Sequence, residues 1–330
     1  MKKIAFFKKG AACFALAFAA VLGLAIPGNG ESLSLTTGMP TDKPYKPVMV
    51  NLDNEPAARP QIGLAAADVV YEMVLYEGGY TRYTAVYNDR MPEYVEGVRS
   101  ARICHVDLYS DWGGAFVFNG VQEKAGTDTY EYIKKGHPIL QEWDGIKSTA
   151  YYSRDESRES PHNVRFALAQ AMEATKFEKK VKARSPLRFD AENPTRQGDD
   201  VTEFAIPYRV GSYHPSYLYD AEKDSYRRYY NGRPMNDGIS RTPITCQNVI
   251  VMTAKLEWYD EDDERPLYTL TGGGACTYFT GGKRFEGSWK RDKGADVTQF
   301  LDAEGNEVRF TPGKTFIQIV PEGQRIDILG

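Results

Sequence analysis

Two arginines, Arg99 and Arg102, stand one helical step apart in the run Glu96-Gly97-Val98-Arg99-Ser100-Ala101-Arg102. Guanidinium groups present forked donors that fit phosphate and carboxylate oxygens. The run passes from a strand-like to a helix-like pattern, and a helix start adds unpaired N–H groups and the positive end of a dipole, so the chemistry it points to is anion binding. Arg59 and Arg82 sit in neighbouring loops and can join the pair. His162 lies beside Arg154 and Arg158, where an imidazole can donate to an anion or move a proton near neutral pH. Glu77, next to the Gly78-Gly79 turn, is the second candidate for proton transfer. Asp53, Asn119 and Asn163 stand at predicted element ends, where sites of α/β sheets gather. Each has a plainer reading as well. A loop Asp or Asn is commonly a turn former, and arginines often pair at the surface with acids such as Glu96 or Asp107.

Other chemistries lack their signatures. There is no phosphate loop ending in Lys-Ser/Thr, no G-x-S-x-G, no H-E-x-x-H and no S-x-x-K site. Asp53, His105 and Asp107 can be imagined around a cation, but no ligand spacing supports it, so the sequence assigns no metal and no cofactor.

Gathering these residues requires a sheet. The sequence predicts strands over 48–52 and 69–76, then a Gly-Gly hairpin into 82–87. A helix is predicted from Ser100 as N-cap, which puts Arg102, His105 and Tyr109 on one face. A strand follows over 115–119, and a second helix opens at Thr127 and closes at Gly136. Val164, Ala167, Leu168, Ala171 and Met172 recur at helical spacing, so a third helix is predicted with Asn163 as its cap. After a polar stretch the texture changes to short strand-like runs at 204–208, 226–230, 248–252, 276–279 and 315–320, separated by Gly-containing turns. The seven tyrosines between Tyr208 and Tyr230 suit either a carbohydrate platform or cross-strand packing. The expectation is an α+β chain: a mixed α/β sheet domain over 45–185, a linker over 186–199, and a mainly antiparallel β domain over 200–330.

Residues 1–30 read as a signal peptide or N-terminal anchor: Lys2, Lys3, Lys8 and Lys9 precede an uncharged run from Gly10 to Ile26. Residues 31–44, rich in Ser, Thr, Pro and Gly, read as a tether. The mature chain is therefore expected outside the cytoplasm, secreted or anchored on the outer face of the cytoplasmic membrane. Without those four lysines, 37 basic residues face 45 acidic ones, a formal charge of −8 against −4 for the full chain, which argues against nucleic acid as partner. Cys104, Cys246 and Cys276 remain, and the sequence leaves open a Cys246–Cys276 bridge or three free thiols.

Five ordered motifs carry a resemblance: Ala58-Arg59-Pro60-Gln61-Ile62-Gly63-Leu64, Ala67-Asp68-Val69-Val70-Tyr71-Glu72, Glu77-Gly78-Gly79-Tyr80-Thr81-Arg82, Gly97-Val98-Arg99-Ser100-Ala101-Arg102 and Ser160-Pro161-His162-Asn163. Together with Tyr219-Asp220, Asn248-Val249-Ile250-Val251 and Pro312-Gly313-Lys314-Thr315 downstream, they resemble the YerB-like family of bacterial exported lipoproteins, from about Tyr45 to the end. The resemblance implies two domains outside the cytoplasmic membrane and no established activity. A lipobox cysteine, common among relatives, is missing from its usual place. Two readings remain. One is a cell-envelope module binding an anionic or glycan ligand through an arginine-lined cleft at Asp53, Arg59, Arg82, Arg99, Arg102, Asn119, His162 and Asn163. The other is an envelope enzyme, a phosphotransferase or hydrolase of a phosphorylated or glycosidic wall polymer, with Glu77 or His162 moving protons.

Overall fold

The computed structural model describes residues 32–75, 80–124, 127–208, 214–260 and 263–330, without the side chains of 258–265. The predicted export segment 1–30 and Glu77 lie outside the described residues. Segments rich in β-branched and aromatic residues form the central strands. In the first half the strands are Val48–Asp53 (β1), Val69–Val74 (β2), Thr81–Tyr87 (β3) and Val95–Glu96 (β4). The helix Ile103–Tyr109 (α1) leads to Ala115–Phe118 (β5), and Thr129–Lys134 (α2) to Gln141–Asp144 (β6). Tyr152–Arg154 (β7), Val164–Phe166 (β8) and Leu168–Ala174 (α3) complete that half. In the second half, Glu203–Ala205 (β9), Pro215–Asp220 (β10) and Ser225–Tyr230 (β11) belong to a small sheet. Asn248–Thr253 (β12), Gly272–Thr280 (β13), Lys283–Arg291 (β14) and Thr315–Val320 (β15) belong to the large one.

That large sheet runs through both halves. From β14 its order is β13, β12, β15, β2, β3, β1, β5 and β6. Every residue of β1, β2, β3, β5 and β15 is buried, because layers cover both faces. Alternate side chains therefore enter different cores. Val48, Val50, Leu52, Val117, Val249 and Phe316 face one core, with Phe166 and Leu168 and with Phe204, Tyr217 and Tyr226 of the small sheet. Met49, Tyr71, Phe116, Ile250 and Ile317 face the other, with Cys104, Leu108 and Trp112 of the α1 region. Phe204 stacks on Phe279 at 3.6 Å and on Tyr217 at 5.1 Å, so these tyrosines serve cross-strand and intersheet packing.

The α+β, two-domain organisation holds, with one feature the strand pattern did not reveal. β15 is parallel both to β12 and to β2, so it joins the halves as neighbours in one sheet. Buried polar contacts reinforce the join. Arg228 Nη2 of β11 reaches Glu72 Oε2 of β2 at 2.6 Å, both side chains fully buried. Arg291 Nη2 pairs with Asp111 Oδ2 at 2.7 Å. Lys314 Nζ donates to the Ala65 carbonyl at 2.7 Å. The segments expected as linkers are also fastened. Thr36 Oγ1 donates to Asp68 Oδ2 at 3.0 Å and Thr37 Oγ1 to Asp89 at 2.5 Å, so the segment expected as a tether packs on the first half. Arg188–Phe189 pairs in parallel with Arg309–Phe310.

Two helix expectations are corrected. Residues 164–166 form β8 between β4 and β7, and α3 begins only at Leu168. Val164 of the strand falls three and four residues before Ala167 and Leu168, in phase with the helical face that follows, and so mimicked a longer helical period. Asn163 is thus no helix cap. The helix predicted from Ser100 begins at Ile103 with Arg102 as N-cap, because 98–101 is occupied with strand-like bonds on both sides. Cys104, Cys246 and Cys276 are free and buried. Among the described residues, no helix is long and apolar enough to cross a membrane.

Candidate functional site

β1 is parallel to β5, and β5 to β6, so Asp53, Phe118 and Asp144 end at one edge of the sheet. β3 runs the other way and places Arg82 at that edge, directly opposite Asp53. Crevices beyond the carboxyl ends of parallel strands are the usual ligand sites of such sheets. Here the segment 97–102 is laid into the crevice. Arg99 N donates to Asn51 O at 3.1 Å and Asn119 N donates to Arg99 O at 3.1 Å, wedging the segment between the continuations of β1 and β5. Its entry requires Gly97, at φ +82°, a left-handed conformation that costs a side-chain-bearing residue. Gly97 O accepts from Asp53 N at 2.8 Å while Gly97 N donates to Val164 O at 2.8 Å. One glycine thus links the loop carrying His162 to the end of β1.

Asp53 is the centre of what results. Its Oδ2 lies 2.8 Å from His162 Nδ1 and 3.3 Å from Arg99 Nη1, and its Oδ1 accepts from Glu55 N at 3.0 Å. Arg99 Nη2 is 3.7 Å from Glu55 Oε1. Burial pushes the Asp53 carboxyl up, but Arg99, the Glu55 N–H, Arg82 and His162 outweigh it and hold the group below the usual carboxylate value. Asp53 is therefore an anion, and the short contact to His162 is an N–H donated by Nδ1. Asp53 is 1% exposed, whereas the side chains of His162, Arg99 and Glu55 are 14%, 13% and 26% exposed, so the cluster opens outward.

A second group adjoins it. Arg82 Nη1 donates to Ser100 O at 3.0 Å, and Arg102 Nη1 to Gln122 Oε1 at 2.5 Å. His105 is fully buried; its Nδ1 accepts from Arg102 N at 2.9 Å, and burial together with the charges of Arg82 and Arg102 pushes it well below the ordinary imidazole value, leaving it neutral. The polar helix face imagined to line a cleft is instead interior: Tyr109 donates to Gly114 O at 2.9 Å and accepts from Leu140 N at 2.8 Å. Of the two helix N-termini expected at the site, that of α1 starts at Ile103 beside this second group, and that of α3 starts only at Leu168, beyond the His162 loop. Asp107 accepts from Tyr132 at 2.6 Å and takes no part with Asp53.

The remaining candidates divide. Arg59 Nε donates to Asn54 Oδ1 at 3.2 Å and its guanidinium lies 3.8 Å from the Tyr230 ring, facing the second half. Asn163 is a brace, accepting from Arg154 at 2.8 Å and donating to the carbonyls of Asp155 and Arg158. Asn119 is half-buried at the edge, with its Oδ1 against Gly145. Sequence reasoning missed Glu55, whose only signal was its place two residues beyond Asp53. It also missed the Glu96 anchor: Arg158 and Arg165 each pair with Glu96 at 2.8 Å, which ties the His162 loop to β4.

Two family models cover this architecture. Residues 36–183 match the N-terminal domain, and 204–317 the C-terminal domain, of a protein family described as being of unknown function (DUF3048). The chain belongs to the YerB-like family. This YerB-like chain is 29% identical over 307 residues to "Putative lipoprotein YerB" of Bacillus subtilis (strain 168), covering 90% of this chain and 89% of the relative. It is similar in structure to crystalline YerB from Bacillus subtilis, with a TM-score of 0.77, 28% identity, and coverage of 91% of this chain and 100% of that one. All the candidate residues of the YerB-like site fall within the first matched segment.

Proposed function

We propose that this YerB-like protein works outside the cytoplasmic membrane, as the lipoprotein name of its relative suggests, and binds an anionic envelope ligand in the crevice beyond β1, β5 and β6. The ligand class is a phosphate-bearing or acidic glycan polymer. One observation carries the reading: Arg82 and Arg99 act together on Asp53 at the open edge of the sheet, with Arg99 partly exposed. The Arg99 guanidinium stands 3.3 Å from Asp53 and 3.7 Å from Glu55, and its planar fork has the shape that grips a phosphate in bidentate fashion.

The test measures binding of purified anionic wall polymer and of inorganic pyrophosphate at low salt. Arg99→Gln should weaken both at least tenfold, and Lys255→Ala, an exposed change elsewhere, should not. Equal effects of the two variants refute the reading. A second reading rests on the His162–Asp53 contact. A carboxylate that orients Nδ1–H leaves Nε2 for proton transfer, as a phosphotransferase or hydrolase needs. It requires His162→Ala to abolish turnover of the polymer while binding persists.

A further inference from the structure

The cluster that holds Arg99 also has the composition of a cation site. Asp53, Glu55 and His162 each bring a ligand atom within 4.8 Å of the others, although His162 is 109 positions from Asp53 in the chain. We propose that these three residues bind a divalent first-row metal ion, of the Mn2+ or Zn2+ class, and that the ion helps to hold the anionic ligand. The coupling rests on the preceding reading; the metal site does not.

The geometry suits an ion with remaining open positions. Neighbouring ligands on a cation with bonds of about 2.1 Å stand about 3 Å apart, close to the 2.8 Å between Asp53 Oδ2 and His162 Nδ1. Glu55 sits on the exposed side, two residues on, with its N–H already on Asp53 Oδ1. Two carboxylates and one imidazole favour Mn2+ or Zn2+ over Ca2+ and Mg2+, which prefer oxygen alone. On binding, the Nδ1 lone pair faces the ion in place of the Nδ1–H: that proton leaves for solvent, and the ring's one remaining proton is held at Nε2. Arg99 must then leave Asp53 Oδ2. Charge explains the link to a ligand. Among the described residues Asp53 and Glu55 stand against Arg82 and Arg99, and a divalent ion adds two positive charges, which a phosphate group bridging the ion and Arg99 would offset. Linkage requires that phosphate tighten metal binding by the same factor as metal tightens phosphate binding.

Calorimetry on the chelator-treated intact chain tests this with Mn2+, Zn2+ and Ca2+, each with and without inorganic pyrophosphate at a level that does not deplete free metal. Expected are one equivalent of Mn2+ or Zn2+ per chain, weaker Ca2+ binding, and tighter metal binding with pyrophosphate. His162→Ala and Glu55→Gln, both at partly exposed positions, should lower metal affinity at least tenfold with unchanged circular dichroism. His214→Ala should leave it alone. The site is overturned by the absence of saturable binding in either condition, or by metal affinity that survives His162→Ala or falls equally with His214→Ala. Loss of metal binding alone leaves the anion reading standing, because Arg99-dependent pyrophosphate binding by the metal-free chain is measured separately.

Discussion

Replacing Arg228 with Met tests how the two halves hold together. Glu72 accepts from Arg228 at 2.6 Å, Thr81 at 2.7 Å, Gln318 at 2.9 Å and Asn54 at 3.2 Å, and both charged side chains are fully buried. Arg228→Met fills much of the same volume but strands a carboxylate in the interior. Breaking a buried pair from one side costs about 3–5 kcal/mol. Among the described residues Thr81, Gln318 and Asn54 remain as neutral donors to Glu72, which places this case near the lower end, about 3 kcal/mol or roughly a hundredfold in the folding equilibrium. The assay is equilibrium urea unfolding followed by circular dichroism and by tryptophan fluorescence, since Trp112 and Trp143 report on one half and Trp289 on the other. Both signals should shift together to lower urea. The double variant Glu72→Gln with Arg228→Met should recover most of the loss, because no unpaired charge remains. A cost below about 1 kcal/mol, or no recovery in the double variant, would refute the view that the buried charge dominates this contact.

Because β15 lies between β12 and β2, the intact chain should unfold in one transition, whereas separate expression of 32–190 and 199–330 should give chains without cooperative unfolding; two well-folded fragments would overturn this. Burial first, then the charge of Arg90, pushes the Lys314 ammonium down to about 8 from its ordinary 10.5. The unfolded chain then binds more protons between those values, so stability should rise as pH climbs through that window, by roughly 3 kcal/mol; a pH profile unchanged in Lys314→Met would contradict it. Burial raises the thiols of Cys104 and Cys246 to about 12 and that of Cys276 further still. Among these three, none should react with a thiol reagent at pH 8 until urea unfolds the chain, and reaction of the native protein would show the burial to be wrong.

The central strands were legible because 48–53 and 69–74 are short, mainly apolar runs with apolar residues at both odd and even positions, as a strand covered on both faces requires. The parallel docking of 315–320 on 69–74 was not, since its pattern fits a parallel or an antiparallel neighbour equally well. Arg99, Asp53 and His162 could be chosen by type and by position at element ends, but Glu55 resembles any loop acid until Asp53 stands beside it. Thr36 and Thr37 failed for a related reason. Hydroxyl side chains read as solvated, and only the folded chain supplies Asp68 and Asp89 as their acceptors.

The place of Thr315–Val320 bears on the order of events in synthesis. A chain made amino end first delivers β2 long before the strand that covers its edge. Until residues 315–320 have emerged, one border of a buried strand stays open to any passing extended chain. Completion of the sheet is thus timed by the carboxyl end. A nascent chain stalled or truncated before position 315 would be left with an adhesive edge, so loss of that short segment should be read out first as aggregation or proteolysis.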